Sequence, residues 1–284
     1  MNEENNTQIV NLSKLNSSST SKFGGKASNL GELINSGINV PDGFAINTDL
    51  YFDFLEKSNL KDKITNLTQN SNSLKINELQ KLSNQIKELF NKTQFDTDII
   101  STIEKEYKRI GSSRVAVRSS ATSEDSMEAS FAGQQNTYLN IIGFNSLIES
   151  IKACWASVFE ARAIFYRNSQ NIAHFDSGMS VVIQQMVQPD VSGVMFTLEP
   201  TTLDPDKIVI EAAFGLGEAV VSGIVTPDYY VIEKSTQTVV RQKHMQQTFK
   251  IALNDENVNT GMFSDINNQN INIPLTPEES LKPK

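Results

Sequence analysis

The chain has 284 residues, 38 % of them hydrophobic, and its 25 basic and 33 acidic side chains give a formal net charge of −8. That is enough for one large domain or two modest ones with a real core, and it excludes a collagen-like, disulfide-scaffold or fully disordered chain. A net acidic chain is a poor general polyanion binder, so nucleic acid is not expected, whereas a small anion held by a few local cations is compatible with it.

The single cysteine, Cys154 in Ala153-Cys154-Trp155-Ala156, has no partner for an internal disulfide and reads as a buried helix residue. Met1 to Thr7 is polar and acidic with no apolar stretch behind it, unlike a signal or transit peptide. No apolar run approaches the ~18 residues of a membrane span, and a cytoplasmic protein without membrane contacts is expected.

In chain order, residues 1–22 are rich in Asn, Ser and Thr and are expected to be loose apart from Ile9 and Val10. Gly24-Gly25-Lys26 reads as a turn into a short helix marked by Leu30, Leu33 and Ile34. Val40-Pro41-Asp42-Gly43 predicts a turn before a strand Phe44–Ile46, and the following helix should be capped by Thr48 or Asp49. Residues 61–110 predict helices, with Leu79, Leu82, Ile86, Leu89 and Phe90 in helical rhythm, while Asn66 to Asn77 reads as a surface loop. Val115–Val117 is a short buried strand ending in Arg118-Ser119-Ser120, and Thr137–Ile142 is another strand. One helix is predicted from about Asn145 to Asn168, its buried face including Trp155, Phe159 and Phe165. Strands follow at Val181–Val187, Gly193–Thr197, Ile208–Glu211 and Tyr229–Ile232, with a lobe boundary at Pro189-Asp190. From about Asn254 the chain is polar, and Thr276-Pro277 begins a helix-like tail.

Several segments suit an anionic ligand. Lys26 at a helix start combines free N–H groups with a point charge. Arg118, at the end of a buried strand beside hydroxyls, suits bidentate phosphate binding; pairing with Glu124 or Asp125 is the plain alternative. The small residues of Ser130-Phe131-Ala132-Gly133-Gln134 would let main chain lie on a phosphate, or form an ordinary connection. Gln184-Gln185-Met186-Val187 could offer free main-chain groups to a purine edge with Met186 on its face, or be a core strand with edge glutamines. Glu211 and Glu218 flank the glycine-rich turn Gly215-Leu216-Gly217, and their carboxylates suit Mg²⁺ or ribose hydroxyls as well as plain surface exposure. Neither His174 nor His244 has an evident partner for acid–base or nucleophilic work.

Together, and in order, these segments resemble the N-terminal ATP-binding domain shared by phosphoenolpyruvate synthase, pyruvate phosphate dikinase and rifampicin phosphotransferase. The resemblance runs from Gly24 to about Ile232. It is carried by Gly24-Gly25-Lys26-Ala27-Ser28-Asn29-Leu30-Gly31, Val40-Pro41-Asp42-Gly43-Phe44, Val117-Arg118-Ser119-Ser120-Ala121-Thr122-Ser123-Glu124-Asp125, Ser130-Phe131-Ala132-Gly133-Gln134, Ser192-Gly193-Val194-Met195-Phe196-Thr197, and Gly215-Leu216-Gly217-Glu218 through Pro227-Asp228.

The resemblance implies an α/β (α+β) ATP-grasp fold, in which two lobes clamp ATP. The implied layout is a loose segment 1–22, a first lobe 23–188, and a second lobe 189–284 that is incomplete at its C-terminus. By position, Lys26 and Arg118 would hold the phosphates and serve catalysis. Gly133 and Thr137 would belong to the loop closing over them, Gln184, Met186 and Val187 would line the adenine, and Glu211 would face the ribose or metal side. ATP and Mg²⁺ are the implied cofactors, with the family's Glu and Gln metal ligands expected beyond residue 284. In the family the β-phosphoryl group of ATP passes to a histidine on a separate domain and then to pyruvate or an antibiotic hydroxyl, leaving AMP and phosphate. Neither His174 nor His244 lies in the glycine-rich motif of that histidine. The expectation is therefore a truncated reading frame, one piece of a split enzyme or an excised fragment, with a separate phosphohistidine-domain protein as its partner. A phosphoenolpyruvate synthase-like domain leads. A rifampicin phosphotransferase domain and a non-catalytic nucleotide-binding remnant are the alternatives.

Overall fold

The computed structural model describes residues 8–111, 114–121, 136–176, 178–253 and 270–274. Near the start, Ile9–Asn11 (β1) pairs antiparallel with Gly43–Ile46 (β2), and Leu12 and Leu15 are buried. Residues 8–22 are therefore built into the fold, against the expectation of a loose segment. Their two leucines pack with Phe23, Ala27, Ala45 and Val182, an apolar contact that their Asn- and Ser-rich neighbours disguise.

Arg114–Ala121 (β3), Thr137–Ile142 (β4) and Met179–Gln185 (β5) complete a five-stranded sheet in the order β1-β2-β5-β3-β4. Every neighbouring pair is antiparallel. Alternate residues of β5 serve opposite faces, as a pleated strand requires. Val182 joins the smaller core under Thr20–Asn35 (α1), while Val181 and Ile183 join a large core on the other face.

That large core takes the buried sides of Thr48–Lys57 (α2), Leu60–Thr68 (α3), Ile76–Lys92 (α4), Thr97–Ile110 (α5), Phe144–Ala156 (α6) and Ala161–Gln170 (α7). Trp155, fully buried, meets Tyr51, Phe54 and Phe95 at centroid distances of 5.8, 5.1 and 5.3 Å. Truncating a side chain of that size costs about 3–5 kcal/mol.

Local chemistry corrects several boundaries. Asn47, not Thr48 or Asp49, caps α2, its Oδ1 accepting from the Leu50 N–H at 3.0 Å. The supposed surface loop 66–77 begins inside α3 and continues through a short 3₁₀ turn, with Thr68 and Ser71 buried. The long helix of 145–168 is two helices, interrupted by a 3₁₀ turn at Ser157–Phe159. That offset rotates Phe165 off the buried face, to 58 % exposure.

Cys154 is buried, as expected. Arg167 is also buried, donating from Nη2 to the Val158 carbonyl at 2.5 Å and from Nε to His174 Nδ1 at 3.2 Å. His174 thus has a partner that its sequence context did not reveal. Burial, and secondarily the Arg167 cation, pushes its pKa down to about 4. Below the ordinary value near 6.5, the unfolded chain takes up a proton that the folded imidazole refuses, so stability should fall between about pH 6.5 and about pH 4. His174→Gln, which keeps an acceptor but cannot titrate, should flatten this part of a pH series of thermal midpoints. Identical slopes in the two proteins would exclude His174 as the cause.

The chain divides into two compact units between Met186 and Val187. The second contains an antiparallel sheet in chain order, of Val191–Phe196 (β6), Lys207–Phe214 (β7), Asp228–Glu233 (β8) and Thr238–Lys243 (β9). A one-turn helix, Glu218–Val221 (α8), follows β7, and Phe249–Leu253 (β10) pairs with Asn270–Pro274 (β11). β9, β10 and β11 were not expected from sequence, β9 because it lacks alternation, β10 and β11 although Phe249-Lys250-Ile251 and Asn270-Ile271-Asn272-Ile273 carry it. Gly215 adopts φ 77°, and a Cβ there would lie 2.2 Å from the Ile251 carbonyl oxygen. Only glycine lets the chain pass β10 this closely, with the Leu216 N–H donating to that oxygen at 2.8 Å. Among the described residues no helix is long and apolar enough to cross a membrane.

Candidate functional site

The first cluster forms where α1 meets the end of β3. α1 is broken at Gly24 (φ 75°, ψ 169°), so its regular part restarts at Gly25 with Lys26 in the opening turn. A Cβ on Gly24 would sit 2.4 Å from Ser120 Oγ, 2.7 Å from the Ser120 carbonyl oxygen and 2.8 Å from that of Ala121. The glycine turn is thus pressed onto β3 two residues past Arg118. Across the sheet Arg118 stands opposite Thr137 on β4 and Val182 on β5. Val182 lies under Phe23 and Ala27 of α1, so Arg118 shares the α1-facing side of the sheet with Ser120, Ser180 and Gln184.

Lys26, Arg118 and Thr137, singled out from sequence at widely separated positions, therefore belong to one layer of the first unit. The sequence placed Arg118 at a strand end, whereas β3 continues to Ala121; an N-terminal helix turn with a lysine near an arginine inside that strand is still an arrangement suited to anions. Burial pushes the Cys154 thiol strongly up, and Lys26 opposes that shift. Gly133, the loop around it, Glu124 and Asp125 lie outside the described residues.

At the other end of the layer, Gln184 is buried on β5 and its Nε2 donates to the Pro41 carbonyl at 3.1 Å. The strand ends at Gln185, two residues short of the Val187 expected. The free main-chain donors proposed there are not all free. Gln185 N–H donates to the Asp42 carbonyl at 2.8 Å and Met186 N–H to the Arg114 carbonyl at 3.1 Å, because the 41–43 turn and the start of β3 close on this segment. Met186 is half-buried, and Val187, the first residue of the second unit, is exposed.

Glu211 lies in the second unit, on β7 between Val194 of β6 and Tyr229 of β8, with Lys243 next across on β9. The row Val194-Glu211-Tyr229-Lys243 thus carries one acid and one base on the same sheet face. Among the described residues no group of three or more His, Cys, Asp or Glu side chains could hold a metal ion. Mg²⁺ commonly needs only one or two carboxylates in addition to phosphate oxygens and water, so a site resting on Glu211 and a nucleotide is chemically consistent. His244, thought to lack a partner, has its Nδ1 3.3 Å from the buried Asp228 Oδ2 and 3.4 Å from the Tyr230 hydroxyl. Asp228 also accepts the Met245 N–H at 2.8 Å, so this contact fastens the end of β9 to the start of β8.

A comparison with protein families matches residues 20–279 to "Pyruvate phosphate dikinase, AMP/ATP-binding domain". The chain belongs to this family. The family model thereby reaches into both units and covers every candidate site residue from Lys26 to Glu211. Among curated proteins, the chain is 46 % identical over 254 residues to a probable phosphoenolpyruvate synthase of Staphylothermus marinus, covering 86 % of this chain and 30 % of that protein. It is 46 % identical over 219 residues to the probable phosphoenolpyruvate synthase of Methanothermobacter thermautotrophicus (75 % and 32 % covered) and 41 % identical over 263 residues to the phosphoenolpyruvate synthase of Aeropyrum pernix (90 % and 31 %). The chain thus spans about a third of the length of these relatives. Its mixture of helices and antiparallel sheets is of the α+β kind, as an ATP-binding domain of this family would have.

The residues that sequence reasoning missed are Asp42 and Arg109. Asp42 was read as part of a turn and of the segment Val40-Pro41-Asp42-Gly43-Phe44 but given no role of its own, yet its Oδ2 accepts from Arg109 Nη1 at 2.7 Å. Only a signal linking positions 67 residues apart could have joined them.

Proposed function

We propose that this chain is the ATP-binding, ATP-grasp portion of a phosphoenolpyruvate synthase-like phosphotransferase. The observation that supports it most is the gathering of Lys26, Arg118 and Thr137 where the Gly24 turn meets β3. In this reading Lys26 and Arg118 neutralise the phosphates, Gly133 belongs to the loop that covers them, Thr137 stands not in that loop but at the start of β4 opposite Arg118, and Gln184, Met186 and Val187 face the base. Glu211 takes the ribose or metal side. Mg²⁺, when bound with ATP, supplies further neutralisation of phosphate charge.

The chemistry asks little covalent work of such a domain. Phosphoryl transfer depends on holding the phosphates in line and offsetting charge that grows on their oxygens. Lys26 contributes a point charge and Arg118 a planar fork for two oxygens. The acceptor is proposed to be a histidine of a separate domain, which then passes the β-phosphoryl group to pyruvate; AMP is the leaving group, and water takes up the γ-phosphoryl group as inorganic phosphate. The similarity to phosphoenolpyruvate synthases favours pyruvate over an antibiotic hydroxyl as the final acceptor.

Titration calorimetry tests the assignment. With Mg²⁺ present, the chain should bind ATP, and Lys26→Ala should weaken ATP and inorganic tripolyphosphate alike, by about 1–3 kcal/mol, while leaving adenosine untouched. Equal losses for ATP and adenosine would make Lys26 a structural residue and remove it from the phosphate site.

A further inference from the structure

The two ends of the proposed nucleotide site are supported differently, and the base end rests on a side-chain pair, Asp42 and Arg109, to which the motifs assign no role. The turn Pro41-Asp42-Gly43 touches the segment Gln184–Met186 at two consecutive residues. Gln184 Nε2 donates to the Pro41 carbonyl at 3.1 Å, and Gln185 N–H donates to the Asp42 carbonyl at 2.8 Å. The turn is itself held. Asp42 Oδ1 accepts the Gly43 N–H at 2.7 Å and an Asn11 Nδ2–H at 3.5 Å, while Oδ2 accepts from Arg109 Nη1 at 2.7 Å. Arg109 also donates from Nη2 to the Gly43 carbonyl at 3.4 Å and from Nε to Glu106 at 2.7 Å. The neighbouring end of α5 takes part as well, since Gln185 Nε2 donates to the Ile110 carbonyl at 3.3 Å.

Stability alone does not account for this arrangement. The Arg109 and Asp42 side chains are 35 % and 45 % exposed, and pairs that exposed contribute little to folding. The pair braces one carbonyl-bearing stretch that accepts from the Gln185 N–H and from Gln184 Nε2, while β3 holds the same segment from its other side, with Val115 opposite Gln185. We infer that Asp42 and Arg109 are positioning residues for base recognition: they hold the Gln184–Met186 segment at the height at which it meets the adenine ring. The inference rests on the reading of that segment as adenine-facing, and it adds residues remote from the nucleotide to the set that determines base affinity. Such indirect support is general, because a site residue only as rigid as its neighbours loses its preorganisation when they move.

The test compares ATP with inorganic tripolyphosphate, which has no base, on the full chain by calorimetry. Arg109→Ala, Asp42→Ala and the double variant should each weaken ATP by about three- to tenfold, the double no more than either single, since both act through one contact. Tripolyphosphate affinity should stay within about twofold and the thermal midpoint within a few degrees, as for an exposed pair. Arg109→Lys should restore part of the ATP affinity. Met186→Ala serves as the reference for the base segment. If Met186→Ala weakens ATP selectively while the Arg109 and Asp42 variants do not, the positioning role is wrong and the base segment stands. If none of the variants separates ATP from tripolyphosphate, the adenine reading falls and the positioning role with it. Equal loss of both ligands in Arg109→Ala would reassign Arg109 to the phosphate end and also overturn the inference.

Discussion

Gly24→Ala should strongly destabilise the first unit. The new Cβ would meet the carbonyl oxygens of Ser120 and Ala121 at 2.7 and 2.8 Å and the Ser120 hydroxyl at 2.4 Å, at a residue whose φ of 75° already disfavours a side chain. Strain of this kind costs about 1–3 kcal/mol and overpacking a similar amount, so about 2–6 kcal/mol is expected in total. For a domain of this size that lowers the thermal midpoint by roughly 5–20 °C. Ser120→Ala distinguishes steric from other causes. The Ser120 hydroxyl is buried without a hydrogen-bond partner among the described residues, so its removal alone should cost little. Combined with Gly24→Ala it should recover part of the loss, because one of the three clashes disappears while the two main-chain ones persist. A Gly24→Ala protein as stable as the parent would mean that the turn does not lie on β3 as described.

Arg118→Ala should have the largest effect on ligand affinity. Hydrogen bonds to charged groups contribute about 1.5–3 kcal/mol, so ATP should bind roughly 10- to 150-fold more weakly. Arg118→Lys should recover only part of this, since a lysine restores the charge without the planar fork. Adenosine binding and the thermal midpoint are the controls: neither should change by a comparable amount. Unaltered ATP affinity in Arg118→Ala would remove the arginine from the phosphate site and leave Lys26 as its only assigned cation.

Much of this site was legible because its parts depend on local chemistry. A glycine pair before a lysine predicts a turn into a helix, and the break at Gly24 is that turn. Val115-Ala116-Val117 predicts a buried strand, and it is one, but the strand runs on to Ala121, so Arg118 stands inside β3 and not at its end. The register that sets Arg118 opposite Thr137 was not legible, since cross-strand pairing is fixed by tertiary packing rather than by either strand alone. The same limit explains Gln185 and Met186: their N–H groups look free in the sequence because their acceptors, Asp42 and Arg114, are far away along the chain. Leu12 and Leu15 were hidden by polar neighbours, since composition averages over a segment whereas burial is decided residue by residue. In the second unit, β9 is exposed along its whole length, so the hydrophobic alternation that reveals strands is missing there.

The position of Trp155 has a practical consequence. It is the only tryptophan in the chain and it lies in the aromatic core of the first unit, while Tyr229 and Tyr230 belong to the second. Indole emission therefore reports on one unit alone. In a denaturant series, the emission shift should follow the melting of the first unit, and far-ultraviolet circular dichroism should follow the whole chain. Coincident curves would describe a single cooperative transition, and separated ones would give each unit its own free energy without cutting the protein in two.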